Sequence, residues 1–449
     1  MNDVGLRQNS DGLDLPISRS TAAFLREQRV VPGGSMRQAS WFEPHPPYAA
    51  RGEGCWIIDL DGRRFLDCAN NFFSLIHGHA FAPIVSALSE AIARGTAFGV
   101  PTEAEIALAE AITARNPHLE QTRFCNSGSE ALLAAVKGAR GLTGRHRVAK
   151  FEGCYHGSYD HMEVSLDSSP ENWNDPEGNP AAVPYAKGTP PAVLADTVVL
   201  PYADADRCAA ILKREGPSLA AILIDPHASK AGMVAMPAEV LAAVTEACAR
   251  DGIMLISDEV VNFRLSHAGL SPLIGLKPDF VTLGKIIGGG LPVGAVSGPA
   301  RSMAVYDHAA GKPRVAMGGT FSANPLTMAA GLASLTHYDQ AAVARLNGLG
   351  DRLREQVNRG LAGTPARLAG RGSMFRLHLG ARDVIDYRSA RPLPAEATAV
   401  TRIHAAMLTA GVLLTPNCSG ALSTPMAEAE VDGIAALLVE KALATSGWR

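Results

Sequence analysis

The stretch DFVTLGKIIGGGLPVGAVSG (residues 279–298) sets one lysine inside an apolar, glycine-rich run. Phe280-Val281-Thr282-Leu283-Gly284 reads as a short buried strand, and Val293–Gly298 reads as another. Lys285 stands at the end of the first. Lysine is among the residues least often buried without a partner. It therefore either snorkels its ammonium to water or has a chemical task.

The same alternation extends outward. A strand over 122–126 leads into a helix over 129–140, and a further strand follows over 147–151. LAAILIDP (219–226) is a strand, PAEVLAAVTEACARDG (237–252) a helix and IMLISDEV (253–260) a strand. Short continuous apolar strands between amphipathic helices predict an α/β fold: a mostly parallel sheet with helices on both faces. Upstream, GCWIIDLDGRRFLDC (54–68) reads as two strands about an Asp61-Gly62 turn. Helical patterns cover 21–30 and much of 80–115. Residues 1–20 are polar and expected to fray. The stretch 157–196, rich in Pro, Asn, Asp and Ser, is too long for an ordinary connection and reads as an active-site rim or subunit-contact insertion. Two long helices, then strands and a closing helix over 427–444, form a smaller α+β unit. The expected organisation is an N-terminal segment (1–79) shared with the small domain, a large domain (80–330) and a C-terminal small domain (331–449).

Composition narrows the function. Apolar residues make up 47% and charged residues 19% of the 449, which supports a sizeable core. Lys+Arg 41 against Asp+Glu 44, with no long basic run, removes the electrostatic footprint of a nucleic-acid binder. Seven scattered cysteines without a Cys-x-x-Cys pair suggest neither a disulfide framework nor a zinc site. With no apolar leader or membrane-length run, a cytoplasmic protein without metal is expected.

Three features carry chemistry. In RFCNSGSEALLAAVKGAR (123–140) a strand runs through Ser127-Gly128-Ser129 into a helix, a junction whose free N–H groups and helix dipole suit an anion; an ordinary serine N-cap is the plainer alternative. In ISDEVVNFR (256–264) Asp258 ends a buried strand, where ligands of open α/β sheets bind. Third is Lys285, whose amine, once desolvated, becomes a nucleophile able to form Schiff bases with carbonyls such as pyridoxal phosphate. Each has a structural explanation taken alone. Together they meet the demands of that cofactor: a cradle for phosphate, a carboxylate for the pyridine nitrogen and an amine for the aldehyde. A carboxylate ~4 Å from the ring nitrogen contributes about 4 kcal/mol at an effective dielectric near 20, roughly three pKa units.

With the further stretches ARGEGCWIIDLDGRRFLDC, HGHAFAPI, FEGCYHGSYD and GGTFSANPLTMAAG, the chain resembles the fold type I, class III aminotransferases over roughly 25–440. The resemblance is strongest to the branch of glutamate-1-semialdehyde aminomutase and the β-amino-acid (β-phenylalanine) aminotransferases. It implies pyridoxal 5′-phosphate as cofactor, Lys285 as its Schiff-base lysine and Asp258 as pyridinium partner. It sets Val260 and Tyr155 on the two ring faces and His156 beside the ring. Ser127, Gly128 and Ser129 become the phosphate cradle. Thr320 would reach the phosphate of a neighbouring subunit, which implies a homodimer. The implied reaction moves an amino group between an amino acid or amine, a β-amino acid foremost, and a keto acid. Aminomutase, racemase or epimerase chemistry, or a non-enzymatic binding module, are the alternatives.

The chain also departs from the family pattern. Asp225-Pro226-His227 stands where many members have Glu-Pro, and the segment after Asp258 is short. Arg37, in SMRQASWFEPHPPY, matches by its spacing to Pro44 an arginine that grips a substrate carboxylate, for which a guanidinium is suited; Arg264 and Arg51 are next in line. The second arginine of the β-phenylalanine enzymes is missing, and LLTPNCSG offers Asn417 and Cys418 instead. NNFFSL (70–75) and ASWFEP (39–44) suggest an apolar pocket.

Overall fold

A computed structural model describes residues 6–8, 14–309 and 311–448; the rest of the polar N-terminal stretch, residues 1–5 and 9–13, lies outside the described residues. The first well-formed strands are β1 (Ala49–Glu53), β2 (Trp56–Asp59) and β3 (Arg64–Asp67), antiparallel neighbours. The turn between β2 and β3 uses Gly62 at φ 82°, as the Asp-Gly pair predicts.

The central sheet has seven strands: β4 (Gln121–Cys125), β5 (Arg147–Phe151), β6 (Thr197–Leu200), β7 (Leu219–Ile224), β8 (Met254–Asp258), β9 (Phe280–Gly284) and β10 (Gly294–Gly298). Their spatial order is β4-β10-β9-β8-β7-β5-β6. Only β10 runs antiparallel to its neighbours; the contacts among β6, β5, β7, β8 and β9 are all parallel. The fold class read from the sequence is therefore the observed one. Strand β6 and the helix after it, Ala205–Glu215, escaped the sequence reading, because a four-residue strand after a long polar stretch carries too little pattern to stand out.

Helices cover both faces. We label α1 (Ala82–Ile92), α2 (Glu103–Arg115), α3 (Gly128–Thr143), α4 (Ala205–Glu215), α5 (Ala238–Asp251), α6 (Pro325–His337), α7 (Gln340–Gly360) and α8 (Glu428–Ala444). Leu132, Ala135, Val136 and Ala139 of α3 pack with Val148, Leu223 and Ile256 on one face. Ile211, Leu212, Val240 and Val244 of α4 and α5 pack with Phe151, Ile222 and Leu255 on the other. Successive strand residues thus feed two separate apolar layers, which is why these strands read as unbroken hydrophobic runs. Helix α1 stops at Ile92, three residues before Gly95.

The last third forms β11 (Arg367–Ala369), β12 (Met374–His378), β13 (Val412–Leu413) and β14 (Ser419–Ala421). β11, β12 and β14 make a three-stranded sheet, and β13 joins β3, β2 and β1 in a mixed sheet. The N-terminal strands are thereby tied to the C-terminal part. The stretch 157–196 holds two short helices, Asp160–Glu163 and Pro191–Ala195, and is otherwise irregular. No helix among the described residues is long and apolar enough to cross a membrane.

Candidate active site

The register of the central sheet brings the three chemical features to one edge. Asp258 ends β8 opposite Thr282 of β9. Gly284 of β9 faces Gly294 of β10, which in turn faces Cys125, the last residue of β4. Strand ends 125, 258 and 284, and the start of β10, therefore lie side by side. Only glycine fits at 294, since a Cβ there would come within 1.9 Å of the Ser127 carbonyl oxygen and 2.8 Å of Cys125 Sγ. The absence of that side chain lets the 126–129 segment lie directly over β10.

Asp258 is 7% exposed and held by three donors. His156 Nδ1 lies 2.8 Å from Oδ2, while the Val260 N–H (3.1 Å) and the Thr282 hydroxyl (3.4 Å) donate to Oδ1. Burial lowers the pKa of His156, an effect only partly opposed by Asp258, so its imidazole is neutral at neutral pH. An ionised carboxylate only accepts, which places the ring proton on Nδ1. His156 Nε2 is buried and, among the described residues, without a partner. His156 thus stands behind Asp258 as its orienting group.

Lys285 opens a tight turn with φ 52°, a left-handed conformation costly for a residue with a Cβ. Among the described residues its amine makes neither a hydrogen bond nor an ion pair. Burial lowers its pKa below lysine's ordinary range, opposed first by Asp258 and then by Asp225. A lysine only partly exposed and left unpaired is primed as a nucleophile and proton carrier.

Ser127 is the N-cap of α3, its hydroxyl accepting from the Glu130 N–H at 3.1 Å. The first N–H groups of a helix have no intrahelical acceptor. With that of Glu130 satisfied, those of Gly128 and Ser129 remain for an outside anion. Ser129 Oγ accepts from the Ser158 N–H at 3.0 Å, which pins the 155–158 loop against the junction. Val260 fills the space above Gly128: a Cβ there would sit 3.0 Å from Val260 Cγ2. Val260 also lies 3.3 Å from the Cβ position of Gly284, so it forms a floor between the junction and the strand that carries Lys285.

Other expected residues stand farther out. Tyr155 is exposed, its hydroxyl 3.4 Å from Ser158 Oγ. Thr320 lies on the exposed surface of this chain. Arg37 is exposed and donates from Nη1 to Asn71 Oδ1. Asn71 belongs to an unbroken left-handed turn, with φ 46° at Asn70, 47° at Asn71, 55° at Phe72 and 69° at Phe73. Leu75, just beyond it, lies 3.1 Å from the Cβ position of Gly290, in the loop that follows Lys285. The two arginines next in line are otherwise engaged. Arg264 is fully buried and donates to Ser373 Oγ and to the carbonyls of Phe73 and Leu422. Arg51 pairs with Glu53 on the outer strand β1.

The donor set fits pyridoxal phosphate: two helix N–H groups for phosphate, Val260 closing the space over Gly128, a carboxylate oriented from behind and an unpaired amine. Sheet order and site together define a fold type I enzyme. The family model for aminotransferase class-III matches residues 38–426, and the chain belongs to this pyridoxal-phosphate-dependent family. It is 36% identical to the glutamate-1-semialdehyde 2,1-aminomutase of Nitratidesulfovibrio vulgaris over 94% of this chain and 97% of that protein. An omega-transaminase from Sphaerobacter thermophilus superposes with a TM-score of 0.92 at 45% identity, over 95% of this chain and 97% of that one. A β-phenylalanine aminotransferase from Variovorax paradoxus gives 0.85 at 32%, over 94% and 93%.

Thr282 and Asn71 went unassigned in the sequence reading. Thr282 lies two residues before Gly284 inside the opening stretch, but its tie to Asp258 is a matter of strand register. One consequence is testable. Replacing His156 with phenylalanine removes a donor that favours the charged form of Asp258, a contact worth about 1.5–3 kcal/mol. Cofactor affinity, measured by titrating the cofactor-free protein, should then be weaker than in the wild type by roughly 10- to 150-fold.

Proposed function

We propose that the chain is a pyridoxal-5′-phosphate-dependent aminotransferase moving an amino group between an amino acid or amine, a β-amino acid foremost, and a keto acid. The observation that carries this reading is Lys285: an unpaired, desolvated amine between Asp258 and the Ser127–Ser129 junction. When bound, the cofactor supplies an aldehyde and a protonated ring that takes up the electron pair left when a proton leaves the substrate's amino-bearing carbon. The Gly128 and Ser129 N–H groups, with the serine hydroxyls, hold the phosphate. Asp258, oriented by His156 and Thr282, holds the ring nitrogen's positive charge, and Val260 and Tyr155 pack against the ring. Lys285 Nζ takes up the proton that leaves the substrate's amino-bearing carbon and holds it for return, as an amine free of ion pairs is able to do. The higher identity to the omega-transaminase, 45% against 36% for the aminomutase, supports transfer between molecules over transfer within one.

Arg37 is the carboxylate grip in this reading. Its guanidinium is exposed and anchored by one nitrogen to Asn71, which leaves further donors for a bidentate pair. The assembly is a homodimer with Thr320 serving the partner's site. In support, a groove of about 1090 Å³ runs past Ile106, Phe124, Gly318 and Ser322. Beside it Val100 (70%) and Phe321 (60%) stand exposed, and Asn324 Nδ2 ties the two loops together through the Thr96 carbonyl at 2.8 Å. Bulky apolar side chains flanking a groove mark an interaction face.

Lys285→Ala should lose the borohydride-reducible linkage to cofactor and nearly all turnover in a donor screen with pyruvate and 2-oxoglutarate; turnover near the wild-type rate would refute the assignment. For Arg37→Ala, single-turnover titrations should show a loss of about 1.5–3 kcal/mol, roughly 10- to 150-fold, for a β-amino acid. A simple aryl amine should lose much less, and equal losses for both donors would make Arg37 structural. Sedimentation of the active protein should give a dimer, and a fully active monomer would contradict the shared site.

A further inference from the structure

A guanidinium without a counter-charge lies beside the strand-end edge, on the three-stranded sheet. Strand β12 sends Phe375 and Leu377 into the core and presents Met374, Arg376 and His378 on its other face. That face lies against residues 227–233, the segment that follows β7. Met374 packs with Met233 and Phe73, and His378 Nε2 lies 2.8 Å from the Gly232 carbonyl oxygen. Between them Arg376 Nη1 reaches the Lys230 carbonyl at 3.4 Å. The segment begins at the site itself. Ile224 pairs with Ser257 in parallel register, so Asp225, the next residue, falls opposite Asp258. Asp225 Oδ1 accepts from the His227 N–H (3.3 Å) and from Asn262 Nδ2 (2.6 Å). The same Asn262 nitrogen lies 3.4 Å from the Asp258 carbonyl oxygen. Arg376 therefore stands one short segment away from the strand end of Asp258. Through Phe73 the same face borders the turn whose Asn71 anchors Arg37.

Among the described residues nothing answers this charge. Arg376 makes no ion pair there, its Nε is buried without a partner, and the long contact to Lys230 is its one hydrogen bond. Arg264, likewise without a carboxylate, is by contrast held by three acceptors. Burial lowers Arg376 only to about 10, so it stays charged, and a charge withdrawn from water calls for an anion. A second donor stands next to it. Ser419 of β14 is directly opposite Arg376, and opposite residues of an antiparallel pair share a face, with Cβ atoms about 4.5–5.5 Å apart. Ser419 Oγ donates to Asn417 Oδ1 at 2.7 Å, and the Thr415 hydroxyl and the Ser419 N–H reach the same oxygen at 2.7 and 3.2 Å. Asn417 is exposed. With Oδ1 turned inward, its Nδ2 is left on the open side of the carboxamide, a donor without a partner among the described residues.

We infer that Arg376 and the Asn417 amide form a second carboxylate-binding site, which takes the carboxylate of the keto-acid acceptor. This rests on the aminotransferase reading. A planar fork beside an amide donor matches the two oxygens of a carboxylate. Donor and acceptor need separate grips for a reason of covalent structure. Both bring their reacting carbon to Lys285. In a β-amino acid the carboxylate hangs one carbon beyond the amino-bearing carbon, whereas in a 2-keto acid it is bonded to the reacting carbon itself. One guanidinium fixed at one distance does not meet both. Arg37, exposed and anchored to the 70–73 turn, serves the farther carboxylate. Arg376, one short segment from Asp258, serves the nearer.

The test compares acceptors with and without a carboxylate in steady-state kinetics of the holoenzyme. Arg376→Met keeps the length and packing of the side chain and removes its charge. It should raise KM for pyruvate about 10- to 150-fold with little change in kcat. Propanal, an acceptor without a carboxylate, and the β-amino acid donor should be unaffected. Arg376→Lys, a charge without a fork, should recover only part of the affinity. Asn417→Asp keeps the oxygen to which its neighbours donate and turns the amide donor into an anionic oxygen, so it too should raise KM for pyruvate and not for propanal. The inference is overturned if Arg376→Met leaves pyruvate unaffected or weakens pyruvate and propanal equally. Should Arg376→Met fail to fold, an unchanged KM for pyruvate in Asn417→Asp overturns it. If the protein transaminates no donor, pyruvate is titrated calorimetrically into the holoenzyme: a loss of affinity in Arg376→Met upholds the site and unchanged affinity overturns it. A failure here leaves the aminotransferase reading intact, since Lys285→Ala tests that separately.

Discussion

The dry edge formed by strand ends 225, 258 and 284 governs the rest of this structure. Charged groups placed there meet little bulk water, so each must be answered by a donor, an acceptor or an opposite charge. His156 and Thr282 answer Asp258, Asn262 answers Asp225, and Lys285 is answered only through space. The sheet has to be parallel for this to work. Only successive parallel strands deliver several chain ends, and the loops after them, to the same edge. The antiparallel strand β10 serves the same end differently, for its glycine start lets the helix junction over 126–129 lie flat against the edge.

Much of this was legible in the residues. Unbroken apolar runs ending in Asp258 and Lys285 announced buried parallel strands, and the serine-glycine-serine junction before a long helix announced the N-cap at Ser127. What escaped was contact between distant segments. The pairing of Asp225 with Asp258 depends on which strands are neighbours, and the order β9-β8-β7-β5-β6 is not written in any one stretch. Nothing in the sequence singled out Asn262, because the residues it bridges lie on two different strands. Arg264 stood next in line after Arg37 for binding a substrate carboxylate. Its three acceptors come from residues 73, 373 and 422, far away in sequence.

The left-handed turn over residues 70–73 was also invisible to pattern reading. Asn-Asn-Phe-Phe carries no glycine, and each such residue costs about 1–2 kcal/mol in this conformation. The turn persists because its surroundings fix it. Asn70 Nδ2 donates to the Ala421 carbonyl, Asn70 N–H to Asp67 Oδ1, and the Phe73 carbonyl accepts from Arg264. Phe73 is packed with Met233, Leu265 and Met374. Backbone strain of this kind gathers where function needs a side chain presented at an unusual angle, and here the side chain presented is Asn71, the partner of Arg37.

Arg264 itself has a consequence for how the molecule withstands its surroundings. It joins the segment after Asp258 to the N-terminal turn and to the C-terminal sheet without a single carboxylate partner. A cross-link made of a cation and neutral acceptors has nothing to lose when acid protonates aspartates and glutamates elsewhere, and little to lose in salt, since no exposed counter-charge takes part. Burial lowers this guanidinium only to about 10, so it keeps its proton throughout the ordinary range of pH. The seam between the two ends of the chain and the central sheet is thus held by a contact indifferent to acidity and ionic strength.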